Sequence, residues 1–110
     1  MEIEFQSFKR ADLVTVNGRI DGSNASELDD AFRGLVDEGR YNIVADLSGI
    51  EYMSSAGLRA MVAALRTCKD KGGDLRIANP SQRMGDVLSL AGLDTIFSIY
   101  DDQTSAVGSF

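Results

Sequence analysis

The chain reads as an α/β protein, and three observations predict it. Short apolar segments rich in β-branched residues alternate with amphipathic stretches of about a dozen residues, the order that gives parallel strands joined by right-handed crossovers. The amphipathic stretches open on capping residues and close on glycine, as at Gly39, Gly72-Gly73 and Gly92. The first two apolar segments lie too close together for a crossover and predict a hairpin.

Residues 2–8 set Ile3 and Phe5 against Glu2, Glu4 and Gln6, the period of a strand with one face covered. A polar Lys9-Arg10-Ala11-Asp12 turn leads to a second strand from Leu13 to Val16, which runs on through Gly18 to Ile20 and ends at the loop formers Asp21-Gly22-Ser23. This hairpin is expected at the edge of the sheet. Asn24-Ala25-Ser26-Glu27 fits a capping box, after which Leu28, Ala31, Phe32, Leu35 and Val36 form one apolar stripe.

The stretch Tyr41 to Leu58, YNIVADLSGIEYMSSAGL, organises the rest. Ile43 to Leu47 is an apolar run of the kind found in strands buried on both faces. A Ser48-Gly49 turn and a short Ile50 to Met53 segment are expected next. From Leu58 the apolar residues recur at helical spacing with Met61, Val62 and Leu65, so Ser54 and Ser55 stand where a strand-loop unit becomes a helix. The first N–H groups of a helix lack intrahelical partners and carry partial positive charge, so a phosphate here would be stabilised. One reading makes Ser54 or Ser55 a helix cap. The other, encouraged by the small residues Ala56 and Gly57, makes a serine hydroxyl accessible to another protein's active site. Arg59, one turn beyond Ser55, is placed either to pair with a phosphate or acidic surface or simply to face solvent.

The helix runs to Gly72-Gly73, with Lys69 and Lys71 near its negative end. Asp74 to Ala78 form a strand closed by Asn79-Pro80. A helix from Ser81 carries Met84, Val87, Leu88 and Ala91 on one face, Thr95 to Tyr100 form the last strand, and Asp101 or Asp102 caps a terminal helix running to Phe110.

Composition narrows the function. At 110 residues the chain is expected to be one domain with a single core, needing no metal or disulfide. The lone Cys68 falls on the apolar side of its helix and suggests a reduced, buried thiol. No secretory leader or membrane-length apolar run is seen, so a cytoplasmic protein is expected, without membrane partners. A net charge of −6 with scattered basic residues argues against a nucleic-acid partner. With no histidine the chain has no imidazole base or ligand, and with no P-loop or metal cluster a hydrolase is disfavoured. No cofactor is implied.

The segment Asp46-Leu47-Ser48, Ile50, Tyr52-Met53 and Ser54-Ser55-Ala56-Gly57-Leu58 resembles the signature of the STAS domain, the family of bacterial anti-sigma factor antagonists. That signature usually reads Asp-Ser-Ser-Gly or Asp-Ser-Thr-Gly, and its first serine is phosphorylated. The resemblance places that role on Ser55, with Ser54, in place of the usual aspartate, as an alternate acceptor; Ala56 replaces the second hydroxyl. Gly18-Arg19-Ile20-Asp21 resembles the Gly-x-Leu-Asp segment that lies beside the serine in the family. It implies a partner-binding surface made of Asp21, Gly22, Ser54, Ser55, Ala56, Gly57 and Arg59; for Asp21 a plain solvated turn is the other reading.

The resemblance extends over nearly the whole chain and implies a mixed sheet with about four helices, mainly on one side. It implies a regulator rather than an enzyme. Unmodified, such a domain binds an anti-sigma factor, a serine kinase of the ATPase fold, and so releases a sigma factor. Phosphorylation of the serine ends this binding, and a metal-dependent phosphatase restores it. The alternative in the same family is an assembly subunit of a transporter or stress-signalling scaffold, with no phosphorylation cycle.

Overall fold

A computed structural model describes residues 1–110. Five strands, β1 (Glu2–Ser7), β2 (Asp12–Ile20), β3 (Asn42–Met53), β4 (Asp74–Ala78) and β5 (Ile99–Tyr100), lie side by side in chain order in one sheet. β1 pairs antiparallel with β2, and every later pair is parallel. The crossovers carry helices α1 (Ala25–Asp37), α2 (Ser55–Asp70) and α3 (Gln82–Leu90), and α4 (Gln103–Gly108) ends the chain. The result is the mixed sheet expected of the family, with the hairpin at its edge.

The strand pleat decides which side chains meet which helix. Val14, Val16, Ile43, Ala45, Leu47, Leu75 and Ile77 face the main core, against Leu28 and Phe32 of α1, Met61 and Leu65 of α2, and Met84 and Leu88 of α3. The alternate residues Leu13, Val44 and Ala78 face a smaller cluster closed by Ala106 of α4. β3 is therefore covered on both faces, which explains its unbroken apolar run. Cys68 is fully buried in the main core, and desolvation pushes its thiol up to about 11.

Several local expectations are corrected. β3 runs unbroken through Ser48-Gly49: the Asp46 carboxylate accepts from the Ser48 N–H at 2.8 Å, and Gly49 is needed because a Cβ there would fall 1.7 Å from Oδ1 of Asn17. These residues are turn formers by type, but here they accommodate irregular pairing with β2, whose register shifts between Thr15 and Asn17 and again between Gly18 and Arg19. Ala11 and Asp12 are buried instead of lying in a polar turn; Asp12 accepts from Ser7 Oγ at 2.8 Å and from Arg40 Nε at 2.6 Å. Phe5 is 55% exposed, because no helix reaches over the end of the edge strand.

At α1 no capping box forms, since Asn24 turns back toward the preceding loop. The last strand is only two residues long. Leu93–Thr95 make a 3-10 turn in which Thr95 Oγ1 donates to Gly92 O at 2.7 Å. Phe97 enters the core from the irregular segment that follows. Of the two caps offered for the last helix, Asp102 is the one that forms, accepting from the Ser105 N–H, and Ser81 caps α3 by accepting from the Met84 N–H.

The terminal helix has only one fully buried residue, so polar contacts hold much of it. Gln103 Nε2 donates to the buried carboxylate of Asp46 at 2.5 Å, and Arg76 reaches Ser109 O and stacks on the Phe110 ring. Gln103→Ala leaves one oxygen of a buried carboxylate without its donor. The expected loss is about 1–3 kcal/mol in chemical denaturation, with faster hydrogen exchange in α4, whereas exposed Thr104→Ala should change neither.

Candidate functional site

The ends of β2 and β3 are paired, Ile20 opposite Met53, and the pairing continues one residue further: the Ser54 N–H donates to Ile20 O at 2.8 Å. This bond places the loop after β2 beside the start of α2. Gly57 then lets the helix descend onto both strand ends, because a Cβ there would stand 2.6 Å from Met53 Cγ and 2.8 Å from Ile20 Cγ2. Ala60 and Met61 continue the buried face one turn on.

Ser54 occupies the N-cap position with extended backbone (φ −75°, ψ 172°), yet its side chain makes no capping bond. Its Oγ is buried without a hydrogen-bond partner. The cap expected of Ser54 is therefore present in position but not in chemistry. Ser55 is the first residue of the helix and is exposed. No acidic side chain lies in this first turn, so the helix's own residues leave the positive end of this 16-residue helix uncompensated. Ala56 is half-buried, Gly57 is buried, and Arg59 is exposed one turn beyond Ser55.

The loop after β2 is built in advance. Asn24 accepts from the Asp21 N–H and donates to Arg19 O, both at 2.9 Å. The Asp21 carboxylate accepts from both the N–H and the hydroxyl of Ser23, and these bonds, the hydroxyl's first, lower its pKa below the ordinary carboxylate value. Asp21 is thus charged at neutral pH and stands beside exposed Gly22. Two neighbours were not singled out from the sequence. The Arg19 guanidinium lies 4.8 Å from the centre of the Tyr52 ring, which is 43% exposed, and Arg83 of α3 donates to Glu51 O at 2.9 Å. The first depends on the two register shifts that bring Arg19 opposite Tyr52, and the second on where α3 docks.

The site is a hydrogen-bonded, largely polar surface at the carboxyl ends of two parallel strands, with no cluster of histidine, cysteine or acidic residues able to hold a metal. The family model described as the STAS domain matches residues 2–106. The chain belongs to the STAS domain family. Within it, the anti-sigma-B factor antagonist of Staphylococcus epidermidis is 27% identical over 86 residues, covering 78% of this chain and 80% of that protein. An anti-sigma factor antagonist from Mycobacterium paratuberculosis, solved by crystallography, is 27% identical, with a TM-score of 0.82 over 98% of this chain and 92% of that one. The Bacillus antagonist SpoIIAA has the same fold in both its solved states. The unphosphorylated form has a TM-score of 0.83 at 15% identity over 96% of this chain and 93% of that one. The phosphorylated form has a TM-score of 0.78 at 16% identity over 98% of each chain. No helix of this STAS domain is long and apolar enough to cross a membrane.

Two substitutions check this geometry. Ser54→Ala removes a buried hydroxyl that caps nothing, so it should leave stability unchanged or raise it by up to about 1 kcal/mol, where loss of a working cap would lower it by a similar amount. Gly57→Ala should lower stability by about 1–2 kcal/mol despite the better helix propensity of alanine, because the new methyl group meets Met53 and Ile20. Urea denaturation of both variants measures these differences.

Proposed function

We propose that this STAS domain is a phosphorylation-controlled antagonist of an anti-sigma factor, and that Ser55 is the phosphoacceptor. The observation that carries the reading is the exposed Ser55 on the first turn of α2, whose start is tied to the end of β2 just before the preformed Asp21 loop. The names of the family relatives and the two states of SpoIIAA support it. In this reading the unmodified surface of Asp21, Gly22, Ser54, Ser55, Ala56, Gly57 and Arg59 docks on an anti-sigma factor that is itself a serine kinase of the ATPase fold. That partner transfers phosphate from ATP to Ser55, and a metal-dependent phosphatase removes it. The domain is a binding module and contributes no catalysis of its own.

The physics of the switch is local. A phosphoserine adds about −1.5 to −2 charges at neutral pH. Free in solution, that group gains from the helix N-terminus and from Arg59. At the centre of an interface shaped for a neutral hydroxyl it must be desolvated beside the charged Asp21 loop, a cost of several kcal/mol. A binding equilibrium moved by that amount changes from mostly bound to mostly free without any refolding.

Titration against the cognate anti-sigma factor tests the proposal. Ser55→Ala should bind as wild type does and should no longer dissociate when ATP is added. Ser55→Asp should bind about tenfold to a hundredfold more weakly. Equal affinities for all three forms, with and without ATP, would refute the switch.

A further inference from the structure

We propose that the groove between α2 and the turn following α3 receives an acidic amphipathic helix of the partner protein. The groove has a volume of about 570 Å³ and begins at Ser55. Leu58 and Val62 of α2 form one wall, and Ala91 and Leu93 form the other. Leu90, next in sequence to Ala91, is 90% exposed. A lone exposed leucine is ordinary; an apolar trough with an exposed leucine beside it fits a partner's apolar stripe.

Charge selects the kind of helix. Arg59 and Arg66 line the groove, and no carboxylate does. Neither arginine takes part in any of the chain's three ion pairs. On a chain of net charge −6 this is a local cationic rim whose arginines are in no ion pair within the chain. The two arginines are seven residues apart on one helix and therefore stand about 10 Å apart along one face, the spacing of two carboxylates placed two turns apart on an opposing helix. From Ser55 to Arg66 the groove is long enough for about three turns of helix.

This surface also explains how modification at one end would act along the whole groove. A phosphate on Ser55 would sit four residues from Arg59, within pairing distance on a helix, and would take one of the two cations from the incoming carboxylates. That link rests on the phosphorylation reading above, while the groove itself does not.

The test uses unmodified, isotopically labelled protein and no kinase, so it fails or succeeds independently of Ser55 phosphorylation. The probe is a synthetic peptide of about 15 residues with leucines at helical spacing and two glutamates seven residues apart, compared with its lysine-substituted twin. Amide shifts on titration should map to Leu58, Val62, Ala91 and Leu93, and the lysine peptide should bind more weakly. Arg59→Glu with Arg66→Glu should weaken the glutamate peptide about tenfold, whereas the same charge change at exposed Lys9 and Arg10 should weaken it less than about twofold. Shifts centred elsewhere, no saturable binding, equal binding of the two peptides, or equal loss in the Lys9 and Arg10 variant would each overturn the proposal.

Discussion

The close approach of α2 to the ends of β2 and β3 is the constraint on which the rest depends. It exists because Gly57 has no side chain to hold the helix away from Ile20 and Met53, and because the Ser54 N–H extends the strand pairing up to the first helical residue. Together these fix the direction in which the helix leaves the sheet. Ser55 then projects outward as a consequence, and the loop after β2 is carried to its side. Gly57 is dictated by packing underneath, and half-buried Ala56 beside it also packs against the main core.

A switch of the proposed kind benefits from a surface that is already ordered. The loop around Asp21 is tied by Asn24 and Ser23, Arg19 lies over the Tyr52 ring, and Arg83 ties α3 to the end of β3. In the proposed switch, a change of charge at one hydroxyl would act on a partner directly and need not be transmitted through the fold. Helix α4 stands apart from this design. It covers the opposite face of the sheet through a four-residue cluster and the Asp46–Gln103 bond, so its loosening would leave the serine surface intact.

Much of this was readable from residue types. The alternation of apolar runs and amphipathic stretches led to the correct order of elements, and the caps at Ser81 and Asp102 and the stop at Gly92 follow directly from side-chain chemistry. The misreadings share a cause, which is that a tertiary neighbour overrode a local preference. Ser48-Gly49 reads as a turn, but Gly49 makes room for Asn17 from the adjacent strand. Asn24 reads as a cap, but the backbone of Arg19 and Asp21 engages it first. Thr95 reads as strand, yet the left-handed Gly92 directs the chain into a tight turn. At the site, the exposure of Ser55 followed from its place at a strand-to-helix junction. The groove wall at Ala91 and Leu93 did not, because nothing local specifies that the segment after α3 returns beside α2.

The central claim is that one hydroxyl, on the outer side of the first turn of α2, is the point at which charge is added. It is tested most directly by peptide mass analysis of the protein after incubation with the proposed anti-sigma partner and ATP. A single phosphate on Ser55, with Ser54 unmodified, is the expected result. Phosphate on Ser54 with none on Ser55, or no phosphate at all with a partner known to be an active kinase, would contradict it.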